Sequence, residues 1–389
     1  MTIEKKISSR RSFLKAGALT MPAIVGLNAL VRAEAQKEGK IGVALCGLGG
    51  FSRVSIAPEL PFAKNVYLAG VITGHPDTKG RAFAKLYGFH ETSIYTYEQM
   101  PHLADNKEIV VVHVVTPNSI HPANAIAAAQ AGKHVISEKP MATHSADCEA
   151  MIEAARKAGV RLGVNYRLHF EPHHMEMIRL SKEKTYGKLK AISAEFSWNR
   201  GNAKPWLLVK EMVGGGAAFD TGVYPIQAGS YLTGETPIYA SAVPTTTRDV
   251  YPPGIEETMS YTLEYPSGTV MQARASYAYD GHLLQVRAEK GTYTCIAPPT
   301  GGSTFGQSGN GKPNPKQVVL PDGSIYKRPD TLQLAVLHDE FATALRENRP
   351  FACPGEMGLR DIRIVEALYR SVARNGERVK VEAGPDMGS

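Results

Sequence analysis

A short strand that ends in a charged pair and a proline contains the first residue that could do chemistry. Val135 and Ile136 suit the interior of a strand. Pro140 lacks an N–H group and restricts the residue before it, so the strand ends near Glu138. Lys139 then lies at the carboxyl end of a strand, where open α/β sheets bind ligands and where an ammonium group could polarise a substrate oxygen. A solvated loop lysine would show the same tripeptide, so its context decides.

A second pair of candidate residues follows three glycines at positions 214–216. Asp220 and Tyr224 are four residues apart, which places both side chains on one face of a predicted helix. An acid near a helix N-terminus and a tyrosine of the core would show the same spacing. The spacing alone therefore leaves both interpretations open.

A glycine turn follows the first predicted strand. Gly47 permits a tight turn, Gly49 lets the backbone approach a pyrophosphate, and the third position, usually Gly or Ala, is the small Ser52. Backbone N–H groups at the start of the next helix would hold the phosphates. An ordinary strand-to-helix turn could look alike. The residues predicted to contact a dinucleotide here are Gly47, Leu48, Gly49, Gly50, Phe51 and Ser52.

The end of the second predicted strand indicates which dinucleotide is bound. In NAD enzymes an acidic residue about 20 positions after the glycines binds the ribose 2′-hydroxyl. This chain has Thr73 and Gly74 there, followed by Lys79 and Arg81. Because a hydroxyl and nearby cations suit a 2′-phosphate, we predict NADP. The two basic residues could instead belong to the solvated face of the following helix.

Strands and helices alternate in the first half of the chain, and strands dominate the second. Helices of 10–15 residues between strands predict a parallel, doubly wound sheet, and its strand ends at Gly47, Thr116 and Lys139 share one edge. From about Gly187, alternating apolar residues and a hairpin turn predict a mostly antiparallel sheet. The predicted strands are 41–46, 66–73, 109–115, 135–137, 161–165, 190–198, 238–246, 257–265, 269–276, 284–288 and 292–296. The predicted helices include 121–131, 145–158, 331–346 and 357–375, and a loop covers 298–315.

The first 35 residues have the pattern of a twin-arginine signal peptide. Arg10 and Arg11 precede a moderately apolar run at 16–31, and 33–35 fit a small-x-small cleavage site. We therefore predict export to the periplasm, a dinucleotide domain at 36–164 and a substrate and oligomerisation domain at 165–389. The formal charge of +7 over 389 residues falls to about +3 without the signal, which does not indicate nucleic-acid binding. We predict no membrane span after signal removal.

The glycine turn, the Glu138-Lys139-Pro140 motif and the glycine-led Asp220 and Tyr224 occur in one order. With these motifs the sequence resembles the GFO/IDH/MocA oxidoreductases over nearly the whole mature chain. It is most similar to the exported glucose–fructose oxidoreductase branch, which it also matches at 94–97, 165–169, around Trp206 and at 354–361. The resemblance implies a Rossmann domain, an α/β domain with a large open sheet, and a homodimer or homotetramer assembled through that sheet.

The resemblance also implies roles for individual residues. Lys139, Asp220 and Tyr224 match catalytic positions, and the same three residues are expected to contact substrate. Gly50 and Phe51 depart from the branch, which has a lysine and a tyrosine there. Apart from the glycine turn, the residues expected to contact the cofactor are Thr73, Gly74, Lys79, Arg81, Tyr97, Thr116, Pro117, Asn118, His121, Glu138, Lys139, Arg167 and Trp206. Relative to that branch, this chain has one extra residue between Thr73 and Lys79. This leaves open whether Lys79 or Arg81 binds the 2′-phosphate.

Hydride transfer from a sugar C–H group requires a base for the hydroxyl proton. Tyr224 is the candidate base. A free tyrosine has a pKa near about 10, and a nearby Lys139 ammonium would lower that pKa by favouring the phenolate. Asp220 would bind a substrate hydroxyl and fix Lys139.

We therefore expect a periplasmic sugar oxidoreductase with tightly bound NADP(H). It would pass hydride from a glucose-like aldose to a second sugar by a ping-pong mechanism. The alternatives are an NAD(P)-dependent glycosidase, an ordinary NADP-dependent sugar or polyol dehydrogenase, and a non-enzymatic sugar or redox sensor. The spacing of His169, His173 and His174, with Pro172 before the last two, does not favour a metal enzyme. The donor and acceptor sugars stay open.

Overall fold

The computed structural model describes residues 39–201, 205–299 and 302–382. The predicted signal peptide, 1–35, lies outside these ranges. In the described residues, every helix is too short or too polar to span a bilayer.

In the described residues, six parallel strands form the first sheet; the alternating pattern predicts all of them except the two-residue strand at Ile94–Tyr95. They are β1 (Ile41–Cys46), β2 (Val66–Ile72), β3 (Ile94–Tyr95), β4 (Ile109–Val114), β5 (His134–Ser137) and β6 (Leu162–Val164). Their order across the sheet is β3-β2-β1-β4-β5-β6. The order reverses between β1 and β4, and ligands of doubly wound sheets bind outside the strand ends at such a point. The central strands are almost wholly buried because helices cover the sheet.

Three helices connect these strands: α1 (Arg81–Tyr87), α2 (His121–Gln130) and α3 (Ser145–Ala158). Gly88 and Gly159 end α1 and α3 at φ values of 73° and 66°, a left-handed conformation that glycine adopts without a steric penalty. The helix expected after the glycine turn is irregular. It begins with a π-helical turn at Ser52–Ile56, because Pro58 has no N–H group that could donate to the carbonyl of Val54 in a regular α-helix. Asn310 N donates to that carbonyl instead, at 2.7 Å.

Within the part of the chain that the structure describes, nine strands form the second sheet, which is mostly antiparallel as predicted. They are β7 (Leu189–Ser197), β8 (Tyr239–Thr245), β9 (Thr258–Glu264), β10 (Val270–Ser276), β11 (Gly281–Ala288), β12 (Gly291–Ile296), β13 (Gln317–Val319), β14 (Ile325–Tyr326) and β15 (Val379–Lys380). Their order is β14-β13-β12-β11-β7-β10-β9-β8-β15, and β7 and β10 are parallel. Buried and exposed residues alternate along β9 and β10, so one face packs on helices and the other is open.

Four further helices pack on the two sheets: α4 (Pro172–Lys182), α5 (Val223–Thr233), α6 (Gln333–Arg346) and α7 (Gly355–Val372). Helices α6 and α7 both pack against the first sheet, and α7 packs against the second as well. The Asp339 carboxylate of α6 accepts hydrogen bonds from Lys64 N at 2.8 Å and Asn65 N at 2.6 Å. The side chain of Ser371 in α7 accepts a bond from Ala242 N of β8, at 2.9 Å. The C-terminal helices therefore tie the two sheets together.

The prediction of one continuous helix through Asp220 and Tyr224 was wrong. A short helix at Ala217–Asp220 ends before α5 begins at Val223. Gly222 passes so close to the preceding turn that a Cβ atom would lie 2.6 Å from the carbonyl oxygen of Ala218. Because this approach tightens the turn, the helical hydrogen-bond ladder is interrupted between Asp220 and Tyr224.

Candidate active site

The ends of β1, β4 and β5 lie side by side, as predicted for Gly47, Thr116 and Lys139. Gly47 has a φ of 99°, and a Cβ atom there would lie 2.8 Å from the Val115 carbonyl oxygen and 3.0 Å from Thr116 Cγ2. A glycine is therefore required for this close approach. Glu138 N donates to Val114 O at 3.0 Å, which brings the Glu138-Lys139-Pro140 segment to the same edge.

The glycine turn leaves room for a phosphate group. Gly49 and Gly50 are exposed, and no atom lies within 4 Å of the position that a Cβ atom of Gly49 would take. Ser52 is buried, and its hydroxyl donates to Gly47 O at 2.5 Å. Leu48 is buried and Phe51 half-buried beneath the turn. This open, side-chain-free surface fits the approach of a dinucleotide pyrophosphate.

The end of β2 has no carboxylate where an NAD enzyme would need one. Thr73 is buried there, and its hydroxyl oxygen accepts a bond from His75 N, so its own hydrogen can be donated to a ligand. Arg81 lies 3.3 Å from both Asp77 and Glu91. Lys79 is exposed and forms no ion pair with another described residue.

Tyr97, which the resemblance implies as a cofactor contact, lies next to the end of β2. Its ring lies 3.7 Å from the position of a Cβ atom on Gly74. Burial raises the pKa of the Tyr97 hydroxyl to about 12, so this group stays protonated at neutral pH.

His121 connects two of the strand ends. Its Nε2 lies 2.6 Å from Thr116 O and its Nδ1 lies 3.0 Å from Pro140 O. Burial lowers the pKa of His121. The half-buried Pro117 follows Thr116, and the Asn118 side chain donates to Val213 O at 3.1 Å. This loop therefore joins the first sheet to the segment that precedes the three glycines.

Lys139 points to Asp220 across the interface between the two halves. Its ammonium donates to Asp220 O at 2.9 Å and to Asp220 Oδ1 at 3.2 Å. Burial by itself lowers the pKa of Lys139, but Tyr224 and the Asp220 carboxylate act against it, and the pKa lies above the usual value. Lys139 therefore carries its positive charge at neutral pH.

Two cations lie against the ring of Tyr224. The Lys139 ammonium is 4.7 Å and the Arg167 guanidinium 4.8 Å from its centroid. Arg167 is almost fully buried and donates to Phe305 O at 2.7 Å and to the Gln333 side chain at 2.6 Å. Arg167 was predicted to contact the cofactor, and the structure places it beside the predicted catalytic tyrosine.

Both oxygens of the Asp220 carboxylate have partners. Oδ1 accepts from Lys139, and Oδ2 accepts from Arg200 and, at 3.2 Å, from the Tyr277 hydroxyl. Burial favours the protonated form of Asp220, but Arg200 and Lys139 outweigh it and hold the pKa of this carboxyl below its usual range. Sequence reasoning missed Arg200 and Tyr277. A basic residue two positions after a tryptophan, just beyond β7, was the available sequence signal for Arg200. In the structure the Arg200 guanidinium lies 4.3 Å from the ring centroid of Trp198.

Trp206 is half-buried and belongs to a second, small apolar cluster. It packs there with Leu207, Val213, Tyr251 and Tyr277. Since Val213 O also accepts the bond from Asn118, this cluster lies against the loop that follows β4.

Glu138 is buried at the end of β5, and its carboxylate has several partners. Asn165 donates to Oε1, and the backbone N–H of Lys139 donates to Oε2 at 3.3 Å. His113 Nε2 lies 3.3 Å from Oε1. Sequence reasoning missed His113 because its strand reads as a plain apolar run.

The three histidines considered for a metal have other partners in the structure. His173 Nδ1 lies 2.7 Å from Glu171 Oε1, and His174 Nε2 lies 2.8 Å from Thr304 O. The ring of His169 packs edge-on against Tyr231. The described residues include no group of three or more His, Cys, Asp or Glu side chains that could hold a metal ion.

Two family models match the chain in succession. The first, GFO_IDH_MocA, describes an oxidoreductase family with an NAD-binding Rossmann fold and matches residues 41–166. The second describes the GFO/IDH/MocA C-terminal domain and matches residues 174–294. The first match therefore covers all six strands of the first sheet, and the second covers β7 to β11 and most of β12 in the second sheet.

Individual relatives extend this similarity over most of the chain. An aldose–aldose oxidoreductase from Caulobacter crescentus, solved with glycerol, is 32% identical, covers 88% of this chain and 99% of its own, and has a TM-score of 0.79. A D-xylose 1-dehydrogenase (NADP(+)) of Haloferax volcanii is 27% identical over 60% of this chain and 68% of its own. A levoglucosan dehydrogenase solved with NADH and levoglucosan is 19% identical, covers 88% of this chain and 99% of its own, and shares the fold at a TM-score of 0.74.

Proposed function

Because the chain belongs to the GFO/IDH/MocA oxidoreductases, as its motifs predict, we propose that it transfers hydride between two sugars. It oxidises a glucose-like aldose and reduces a second carbonyl sugar in a ping-pong cycle, with one NADP(H) that stays bound. The aldose–aldose oxidoreductase and the NADP-dependent xylose dehydrogenase among its relatives support a sugar substrate.

The observation that carries this proposal is the position of Tyr224 beside two cations, Lys139 and Arg167. The Lys139 ammonium and the Arg167 guanidinium lie 4.7 Å and 4.8 Å from its ring centroid, so the tyrosine stands beside the lysine that can polarise a substrate oxygen. Asp220 holds Lys139 in place and is itself held by Arg200. Tyr224 can therefore accept the hydroxyl proton of one sugar and return a proton to the carbonyl oxygen of the next.

NADP(H) supplies the hydride chemistry when it is bound. The glycine turn would hold its pyrophosphate, and Thr73 and Lys79 would hold its 2′-phosphate. Lys79 is the better of the two basic candidates because the Arg81 charge faces Asp77 and Glu91.

The segment 302–316 supports a cofactor that stays bound through the cycle. Within it, Asn310 N bonds to Val54 O and the Gln307 side chain donates to Ser55 Oγ, just after the glycine turn. Phe305 O in the same segment accepts a bond from Arg167 beside Tyr224. One segment therefore ties the cofactor turn to the catalytic tyrosine and restricts opening of the crevice.

The predicted periplasmic location and the predicted oligomeric state belong to the same proposal. The twin-arginine pattern at 9–15 supports export to the periplasm, where no dinucleotide pool would exchange with the enzyme. The open face of the second sheet, with Val243 and Val270 exposed, supports a homodimer or homotetramer formed through that face.

Initial rates with two varied sugars and no added dinucleotide test the proposal. We expect parallel double-reciprocal lines, the form that a ping-pong scheme gives. A requirement for free NADP together with intersecting lines would contradict the proposal and indicate an ordinary dehydrogenase. Release of the aglycone from an aryl glycoside would indicate a glycosidase instead.

A further inference from the structure

A buried chain of polar groups leads from Glu138 into the C-terminal helix α6. Glu138 Oε1 lies 3.3 Å from His113 Nε2, and His113 Nδ1 lies 3.0 Å from His338 Nε2. His338 Nδ1 in turn lies 2.7 Å from Leu334 O. His113 and His338 are at most 1% exposed, and Glu138 is 7% exposed. This chain of polar groups ends at the backbone carbonyl of the buried Leu334, so it is closed to solvent at that end.

Each of the three contacts in this chain requires one hydrogen. Leu334 O can only accept, two ring nitrogens can share one N–H, and a carboxylate can only accept. Two neutral imidazoles carry one N–H each, so together they fill only two of the contacts. His113 Nε2 is buried, has no direct hydrogen bond to any described residue and faces Glu138 at ion-pair distance. Without a further proton, a nitrogen lone pair would face a carboxylate in the protein interior, which is costly.

The further proton does not belong on His338. Burial and the neighbouring His113 lower the pKa of His338 to about 3, so this ring is neutral at physiological pH. A neutral His338 donates from Nδ1 to Leu334 O and accepts at Nε2 from His113. The unfilled contact is then the one between His113 and Glu138.

We propose that His113 and Glu138 share one additional proton at neutral pH, which the acceptor nitrogen of His338 holds in place. The pair is then neutral as a whole, and Glu138 does not act on Lys139 as a full negative charge. His113 and His338 are thus positioning residues for the reaction proposed above, and their effect on turnover rests on that proposal.

The surroundings of Glu138 determine what this proton does. The ionisable groups that face Glu138 are His113 from β4, Lys139 from its own segment and His121 from the start of α2. Asn165 donates to the carboxylate and is uncharged. A full negative charge on Glu138 would favour the protonated forms of Lys139 and of nearby Tyr224. Neutralising it leaves more of the positive potential of Lys139 to stabilise the Tyr224 phenolate.

Nuclear magnetic resonance of the purified holoenzyme tests the shared proton directly. With ¹⁵N-labelled histidine and ¹³C-labelled glutamate at pH 7, we expect either both His113 nitrogens protonated or a protonated Glu138 carboxyl. A neutral His113 beside an ionised Glu138 would overturn the proposal. This result does not depend on turnover, so an enzyme inactive on sugars would refute the proposed function and leave this test valid.

Two substitutions of His338 separate the proton from general packing. His338→Leu removes the acceptor, so a neutral His113 can donate from Nε2 and the additional proton is lost. His338→Gln keeps an acceptor towards His113 and a donor towards Leu334 O, so the additional proton on the His113–Glu138 pair is still required. We expect His338→Leu to move the acidic limb of the kcat–pH profile upward by about one unit and His338→Gln to leave it in place.

The matched control is His134→Gln, at the other end of β5, whose Nδ1 accepts a bond from Arg161 N. It should not move the profile. Equal profiles for His338→Leu and the wild type would overturn the proposed role in turnover. If His338→Leu does not fold, the resonance measurement on the wild-type enzyme still decides whether the proton is shared.

Discussion

The predicted cofactor edge, made of the glycine turn and the end of β2, and the proposed catalytic cluster of Lys139, Asp220 and Tyr224 differ in how the chain builds them. The cofactor edge comes from short, local stretches, and its functional groups, such as Gly49 and Lys79, are exposed. In the proposed catalytic cluster Tyr224 is buried, and Lys139 and Asp220 are half-buried. The cluster joins residues far apart in sequence, since Lys139 contacts Asp220, 81 positions later. A local motif can tolerate a changed neighbour, but a cluster held by mutual contacts depends on each member. Substitutions should therefore cost much more in the cluster than at the edge.

The largest effect is expected from Tyr224→Phe. The ring remains beside Lys139 and Arg167, but the hydroxyl that exchanges the proton in the proposed reaction is lost. We expect kcat to fall roughly 1,000-fold, within the range for losing a general acid–base group. Tyr231→Phe is the control, because its hydroxyl bonds to His174. Equal losses in the two variants would show that Tyr224 acts through packing.

Lys139→Ala should reduce kcat by at least about 100-fold, since it removes a positioned charge beside the reacting groups. The nucleotide content after denaturation should stay close to that of the wild type. Lys133→Ala serves as the control, because this buried lysine donates to Asn106 O on the approach to β5. Near-normal turnover of Lys139→Ala would show that the Glu138-Lys139-Pro140 segment is only a turn.

The smallest effect is expected at the cofactor edge. Lys79→Ala should weaken NADP binding about tenfold, the low end for a hydrogen bond to a charged group, because the site is exposed. Arg81→Ala should change NADP binding less, since its charge already faces Asp77 and Glu91. Binding of NAD, which lacks the 2′-phosphate, should not change in either variant. A larger loss from Arg81→Ala would reverse the assignment.

The same contrast explains how much the sequence predicts. Apolar runs and the glycines between them predict five of the six parallel strands and the larger strands of the second sheet, because these patterns are local. The glycine turn and the end of β2 are also local, and there the structure shows an open turn and no carboxylate. Strands β3, β13, β14 and β15 were not predicted, because they are only two or three residues long, too short for a periodic pattern.

The catalytic cluster was predicted only in part. Motifs and resemblance indicate Lys139, Asp220 and Tyr224, but not the partners that hold them. Arg200 and His338 reach the site through tertiary contacts, which leave no mark in local periodicity. The interruption of the helix at Gly222 also depends on a close backbone approach that spacing does not reveal.

The bound-cofactor cycle, on which the proposed function depends, is tested most directly by absorbance during a single turnover of the purified enzyme. Glucose alone, with no added dinucleotide, should raise the reduced-nicotinamide band by one cofactor equivalent and then stop. Fructose or another open-chain carbonyl sugar should then bleach the band. The nucleotide released by denaturation should be NADP(H). No change until free NADP is supplied, or NAD as the sole nucleotide released, would contradict this account.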